Sequence, residues 1–422
     1  MDFITLRIGM GTTKSSYYLD LLEVGLLGIT AFLIPVQVFL TPIPIATLCF
    51  LFLVRPRNYK ALRESMRTLG FWAMLIPFLL YIIGLAYSDD ITTALHNTET
   101  ALSLLAFPLI ATAFRLNGIE RKLSILNISL IAGIFAIMIF SIINACGNYM
   151  ETHNTDVFFY TQLLSSPHHH SYYAMFAVII ITQDIIRNRQ LHSKGYIAIE
   201  IATALIMVVF IGMLSSKITI LLLAIYAIYL IVRMVLSKRI PQWLSILVAV
   251  LTIASIPAIY SLPMVKYRID SMWDSLKAQH DGVETVRTRN ESTTIRIKCM
   301  ESAVDVISEN WLIGTGEGDV YAELQKKMKL RMGDDYEGTC ASHNQFLRSF
   351  ASFGILGIAS LLLLFFAMFR KAIKSRNGTM IWWCIITFCF FGIEDMFCII
   401  NGITFFCLFT GIMLMGRKTM DN

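Results

Sequence analysis

Apolar residues in this chain fall in long continuous runs rather than in the period-two alternation of a half-buried strand. Runs that approach the 17 to 25 residues needed to cross hydrocarbon can be placed at 20–40, 41–54, 69–87, 101–116, 124–145, 170–184, 196–214, 217–236, 242–260, 345–369, 380–397 and 399–415. They predict twelve transmembrane helices. The second is short, and the last two are divided only by polar residues around Asn401.

The connections between the runs are of two kinds. The N-terminus, 55–68, 115–122, 187–194, 233–239, 370–376 and the C-terminus together hold 22 of the 35 Lys and Arg, whereas 88–100, 146–169 and 392–401 hold none. Basic residues collect on cytoplasmic connections, so both termini are expected in the cytoplasm. The opposite side carries one long polar segment, 261–344, whose eleven basic residues do not break the rule because long loops escape it. Its length predicts a lid or small domain. Within it, ESTTIRIKCMESAVDVISEN has apolar residues at 295, 299, 303, 306 and 307, the spacing of an amphipathic helix opened by a Ser or Thr cap. GTGEGD (314–319) then ends it as a turn and lacks the lysine of a phosphate-cradling loop. The expected organisation is nine transmembrane helices over 1–260, a loop domain over 261–344, and three helices with a cytoplasmic tail over 345–422.

Composition supports this class. Of 422 residues 56% are apolar and 15% charged, with a mean hydropathy of +0.64, too apolar for a soluble chain to cover its own surface. The net charge of +6 is spread along the connections and does not point to nucleic acid. The eight cysteines form no CxxC pair and read as small apolar residues, although Cys299 and Cys340 share the polar segment and could pair. The first twenty residues lack the pattern of a cleaved signal and are expected to stay.

A few residues are costly where they stand. His343, with Asn344, Gln345 and Arg348 beside it, precedes the tenth apolar run. It reads either as an interfacial helix cap or as a general base, since imidazole titrates near neutral pH. Lys217 sits at a tight outer turn, as a lysine snorkelling to the interface or as a cation neutralising an anion. Arg296 lies on the loop helix and could join Lys217 in a phosphate clamp. HHHSYY (168–173) cannot aim three consecutive histidines at one metal from a helix, so no metal site is expected. Glu394 and Asp395 could pair with Lys217 or orient His343, or simply mark a polar kink.

In order along the chain, LSSK (214–217), RIKCMESA (296–303), GTGEGD (314–319), SHNQFL (342–347), FGILGI (353–358) and the acidic Glu394 resemble the C-terminal block of the O-antigen ligase and polymerase superfamily. HHHSYY is similar to a His-and-Tyr element seen in some members. The resemblance covers roughly 165–415 and rests on order and topology more than on any one motif. It implies an all-α, GT-C-like membrane helix bundle with one long periplasmic loop in the bacterial inner membrane. The activity it implies is metal-independent and cofactor-free glycan transfer from an undecaprenyl diphosphate donor to a hydroxyl acceptor, lipid A–core in a ligase, with inversion.

Residue by residue, the resemblance implies that His343 is the catalytic base and that Arg296 and Lys217 bind the donor diphosphate. Lys217 stands where the family usually has a second arginine, and Met300 where it has a tryptophan. Glu394, Asn344, Arg348, His168 and Tyr172 are expected to support the site or contact the acceptor. A polymerase or a protein O-oligosaccharyltransferase would use the same donor. A polysaccharide or lipid transporter would instead place its charges at the midplane of broken helices.

Overall fold

A polar backbone in hydrocarbon can satisfy itself within one segment only as a helix, and no strand occurs among the described residues of this computed structural model. The structure describes residues 14–113, 119–164, 169–187, 194–236, 243, 250, 260–261, 263–282, 285, 288, 291–334 and 336–416. Almost all of the ninth expected crossing, 242–260, lies outside them, and so does His168.

In chain order the α-helices are α1 (Lys14–Val36), α2 (Pro42–Leu53), α3 (Pro56–Ser65), α4 (Leu69–Gly84), α5 (Ile91–Thr100), α6 (Ser103–Ala113), α7 (Ile119–Thr152), the single turn α8 (Tyr160–Leu163), α9 (His170–Arg187), α10 (Lys194–Leu214) and α11 (Lys217–Val235). Then follow α12 (Pro263–Asp281), α13 (Ser292–Asn310), α14 (Val320–Met332), α15 (Gln345–Lys374), α16 (Gly378–Phe391) and α17 (Ile400–Met415).

Twelve crossings are more than helix length supports. Among the described residues four helices, in α1, α7, α11 and α15, are long and apolar enough to cross a membrane, or five if α3 and α4 form one span bent by 93°. The second and fourth expected crossings are the 12-residue α2 and the 11-residue α6. At 1.5 Å per residue these rise about 18 and 16 Å, against a hydrocarbon thickness of about 30 Å. The reason is local. Residues 37–41 form a turn ahead of Pro42, and the chain after Tyr87 first makes the polar helix α5, a stretch too polar to show in a hydropathy pattern.

The helices nevertheless run between two ends. At one, Arg55 joins Asp20 at 2.8 Å and Glu23 at 3.0 Å, tying the exit of α2 to the entry of α1. There also Lys371, late in α15, donates to the carbonyl of Gly416 at 2.9 Å, just past α17. At the other end, the Tyr173 hydroxyl at the start of α9 donates to the carbonyl of Pro35 at the close of α1. The basic connections at 55–68 and 370–376 thus share one end, and the start of α9 beside the candidate site lies at the other.

Two cores hold the chain together. The larger runs through the apolar helices, with the Trp383 ring in contact with those of Phe405, Phe406 and Phe409. The smaller joins α13 and α14 to the start of α15 through Cys299, Ala303, Val306, Val320, Leu324, Met328, Cys340 and Ala351. Cys299 and Cys340 are free thiols, both buried within it. The expected loop helix is α13, but its cap is Glu291 rather than Ser or Thr, accepting from the Thr293 amide at 2.5 Å.

GTGEGD forms the expected turn and has a partner. Gly314 and Gly316 take φ of +81° and +86°, and a Cβ on Gly316 would stand 2.3 Å from the Ser88 hydroxyl. The Asp319 carboxylate accepts the amides of Asp89 and Asp90 at 2.8 and 2.9 Å. A glycine-lined backbone is what allows the turn to seat directly on segment 88–90.

The helix after His343 is not continuous. Gly354 has φ +59° and ψ −151°, which divides α15 into a short first piece and a long apolar one. A Cβ there would lie 2.2 Å from the Leu312 carbonyl oxygen. His343 therefore stands one short helix ahead of the membrane-length segment.

Candidate active site

Five polar elements meet at the candidate site: the turn before α11, the start of α12, the start of α13, the segment before α15, and the link between α16 and α17. Ser215 closes α10 with φ +50°, and Ser216 precedes Lys217, the first residue of α11. This tight reversal projects the lysine over the start of α13. Its Nζ donates to the Thr293 hydroxyl at 2.8 Å and lies 3.5 Å from the Glu291 carboxylate. Lys217 therefore pairs with Glu291, and not with Glu394 or Asp395.

Arg296, one turn further along α13, reaches the other way. It donates to the Ile393 carbonyl and to Glu394, each at 3.1 Å. Glu394 is 5% exposed and also approaches Nδ1 of His169 at 3.6 Å. A single carboxylate thus sits between a guanidinium and an imidazole. Burial first, and then the positive charge of Arg296 and Arg268, lowers the His169 pKa to about 4. It is neutral near pH 7.

His343 has φ +47°, uncommon for a residue with a Cβ. Its neighbours hold it there. Oδ1 of Asp395 accepts the Ser342 hydroxyl at 2.5 Å and the Asn344 amide at 2.8 Å, bracketing the histidine. Asn344 caps α15 by accepting the amides of Phe346 and Leu347, and its Nδ2 donates to the Gly392 carbonyl. Such over-determination sustains a strained backbone. The His343 pKa is lowered, chiefly by burial and next by Arg296, with Glu394 and Asp395 opposing. The imidazole is poised in its proton-accepting form.

Lys217 and Arg296 line one cavity of about 160 Å³, together with Arg268, Tyr160, His170 and Thr293. Arg268, from α12, lies 3.7 Å above the Tyr160 ring centre and makes no ion pair with any described residue. Three cations around so small a space repel one another, and an anion would relieve that. His343 is not part of the lining; it lies within electrostatic reach of Arg296 and Glu394.

The other expected residues are placed differently. Arg348 is fully buried, donates to Glu317 at 2.5 Å and lies 3.8 Å from the Tyr321 ring centre. It belongs to the packing between GTGEGD and α15, not to an open surface. Tyr172 is also buried, within electrostatic reach of Glu394 and Asp395, and its hydroxyl has no hydrogen-bond partner among the described residues.

Sequence reasoning missed Arg268, Tyr160 and the acid Glu291. Arg268 is one of eleven basic residues in a polar segment, and no motif separates it from the rest. Only the placement of α12, which packs against α13 and sets Arg268 over Tyr160, does so.

No curated protein matches the chain. Residues 202–362, a span that takes in Lys217, Arg268, Arg296 and His343, match the family model described as O-Antigen ligase, so that this stretch is similar to O-antigen ligases.

Proposed function

We propose that the protein is an inner-membrane glycosyltransferase that moves a glycan from undecaprenyl diphosphate to an acceptor hydroxyl, lipid A–core in the ligase reading. One observation carries this reading: Lys217, Arg268 and Arg296 surround a single cavity, and Arg296 links that cavity to His343. In a family of glycan-transferring membrane proteins, such a cavity suits a diphosphate. Each cation within about 4 Å of the leaving group would contribute roughly 4 kcal/mol at an intermediate dielectric.

In the proposed step the acceptor oxygen attacks the anomeric carbon as His343 takes its proton. The bond from that carbon to the phosphate oxygen breaks, and the diphosphate leaves with the electron pair toward the three cations. A single displacement inverts the anomeric centre. Glu394 and Glu291 hold Arg296 and Lys217 in place before the donor arrives. Asp395 and Asn344 keep His343 in its strained pose. Arg348 and Tyr172 act through packing. The site faces the periplasm, both termini lie in the cytoplasm, and residues 261–344 cover the donor headgroup while its polyprenyl tail lies among the helices.

The ligase reading is favoured over the polymerase because 261–344 is the one long outer connection. The test is a strain lacking this gene, with its surface glycan separated on a gel. Loss of all long chains, with full-length donor accumulating, supports a ligase. A single repeat on core identifies a polymerase, and an unchanged ladder rejects both.

A further inference from the structure

At the opposite end of the bundle the last turn of α15 lies against the start of α4 and the end of α17. Between them is a cavity of about 450 Å³. One side is apolar, made by Leu69, Ala367 and Leu414; the other presents Arg370, Lys371 and Lys374. The three cations are not equivalent. Lys371 is half-buried and holds the carbonyls of Leu414 and Gly416, so it fastens the end of α17. Arg370 and Lys374 are exposed, and neither forms an ion pair with a described residue.

We propose that this cavity binds the headgroup of an anionic phospholipid, its phosphodiester held by Arg370 and Lys374 and its glycerol and first acyl carbons against the apolar wall. Cations at a helix end that merely snorkel need no cavity. A free phosphate would use the charges and leave the apolar side unfilled. A lipid uses both, and it matches the end where the basic connections collect, which the charge bias assigns to the anionic cytoplasmic leaflet. Each basic group near such a surface is worth on the order of 1 kcal/mol, so the pair should give about tenfold selectivity or more for an anionic over a zwitterionic lipid.

The experiment uses the full chain purified in detergent and native mass spectrometry with added dioleoylphosphatidylglycerol, dioleoylphosphatidylcholine or inorganic phosphate. The wild type is expected to retain phosphatidylglycerol at least tenfold better than phosphatidylcholine, to keep it in excess phosphate, and to lose the preference in Arg370→Ala/Lys374→Ala. Equal retention of the two lipids, displacement by phosphate, or an undiminished preference in the variant would each overturn the proposal. The variant's melting temperature in lipid-free detergent is the folding control. If the double alanine variant does not purify, Arg370→Gln and Lys374→Gln separately carry the same comparison. No step depends on glycan transfer, so this proposal and the enzymatic one can fail independently.

Discussion

Arg296 and Glu394 are 3.1 Å apart, although 97 residues separate the neighbouring Ile393 from the arginine that binds its carbonyl. The guanidinium reaches a backbone oxygen and a carboxylate through two separate nitrogens of its rigid fork, a geometry that the single nitrogen of an ammonium does not reproduce. Arg296→Lys should therefore lower transfer roughly 10- to 100-fold, the range for losing one charged hydrogen bond, and Arg296→Ala more. Rates in membranes supplied with donor and acceptor check this. Equal rates for Arg296→Lys and wild type would mean that the fork holds nothing the reaction needs.

Lys217 makes only single-point contacts, with Thr293 and Glu291. If it binds an anion through charge, Lys217→Arg should keep most activity and Lys217→Ala should not. Arg268→Ala should weaken donor binding in the same way, raising KM for the lipid-linked substrate more than it lowers kcat. Equal activity of Lys217→Ala and Lys217→Arg would make this residue a snorkelling lysine.

Removing a general base costs on the order of 10²- to 10⁴-fold, so His343→Ala should lose glycan transfer at unchanged protein level. A normal glycan ladder from that variant would remove His343 from the chemistry. Because burial and Arg296 lower its pKa, the neutral base persists below the ordinary imidazole value near 6.5. The acid limb of the rate profile should fall below that pH. Asp395→Asn, which loosens the bracket around His343, should lower kcat with little change in expression.

His169 gives a stability prediction of definite sign. Its folded pKa of about 4 lies below the ordinary value of 6.5, so the unfolded chain binds more protons between those pH values. Stability from this group is complete above about pH 6.5 and is lost as pH falls toward 4. Thermal melts of wild type and His169→Asn over that window should converge at the acid end.

Arg348 should behave unlike the other basic residues of the site. Its charge is buried against Glu317, and taking away one partner of a buried pair typically costs about 3–5 kcal/mol. Arg348→Ala should reduce the amount of folded protein, as read by size-exclusion profile, where His343→Ala does not. A well-folded but inactive Arg348→Ala would place this arginine in the chemistry after all.

The sequence by itself determined the helical class of this protein and predicts its polarity. Uninterrupted apolar runs leave a backbone no alternative to helix, and charge asymmetry sorts connections to two ends without reference to any contact. It also determined the spacing of α13 and the glycine turn at 314–319, because both are set by residues near one another in the chain. Tertiary structure decided the rest. Pairing Lys217 with Glu291 and Arg296 with Glu394, bringing Arg268 over Tyr160, and turning Arg348 inward all depend on how separate helices pack, and that leaves no local signal. Helix lengths were not legible in hydropathy either. Hydropathy measures how apolar a stretch is, whereas Pro42, the polar helix at 91–100 and the break at Gly354 determine where a helix can run.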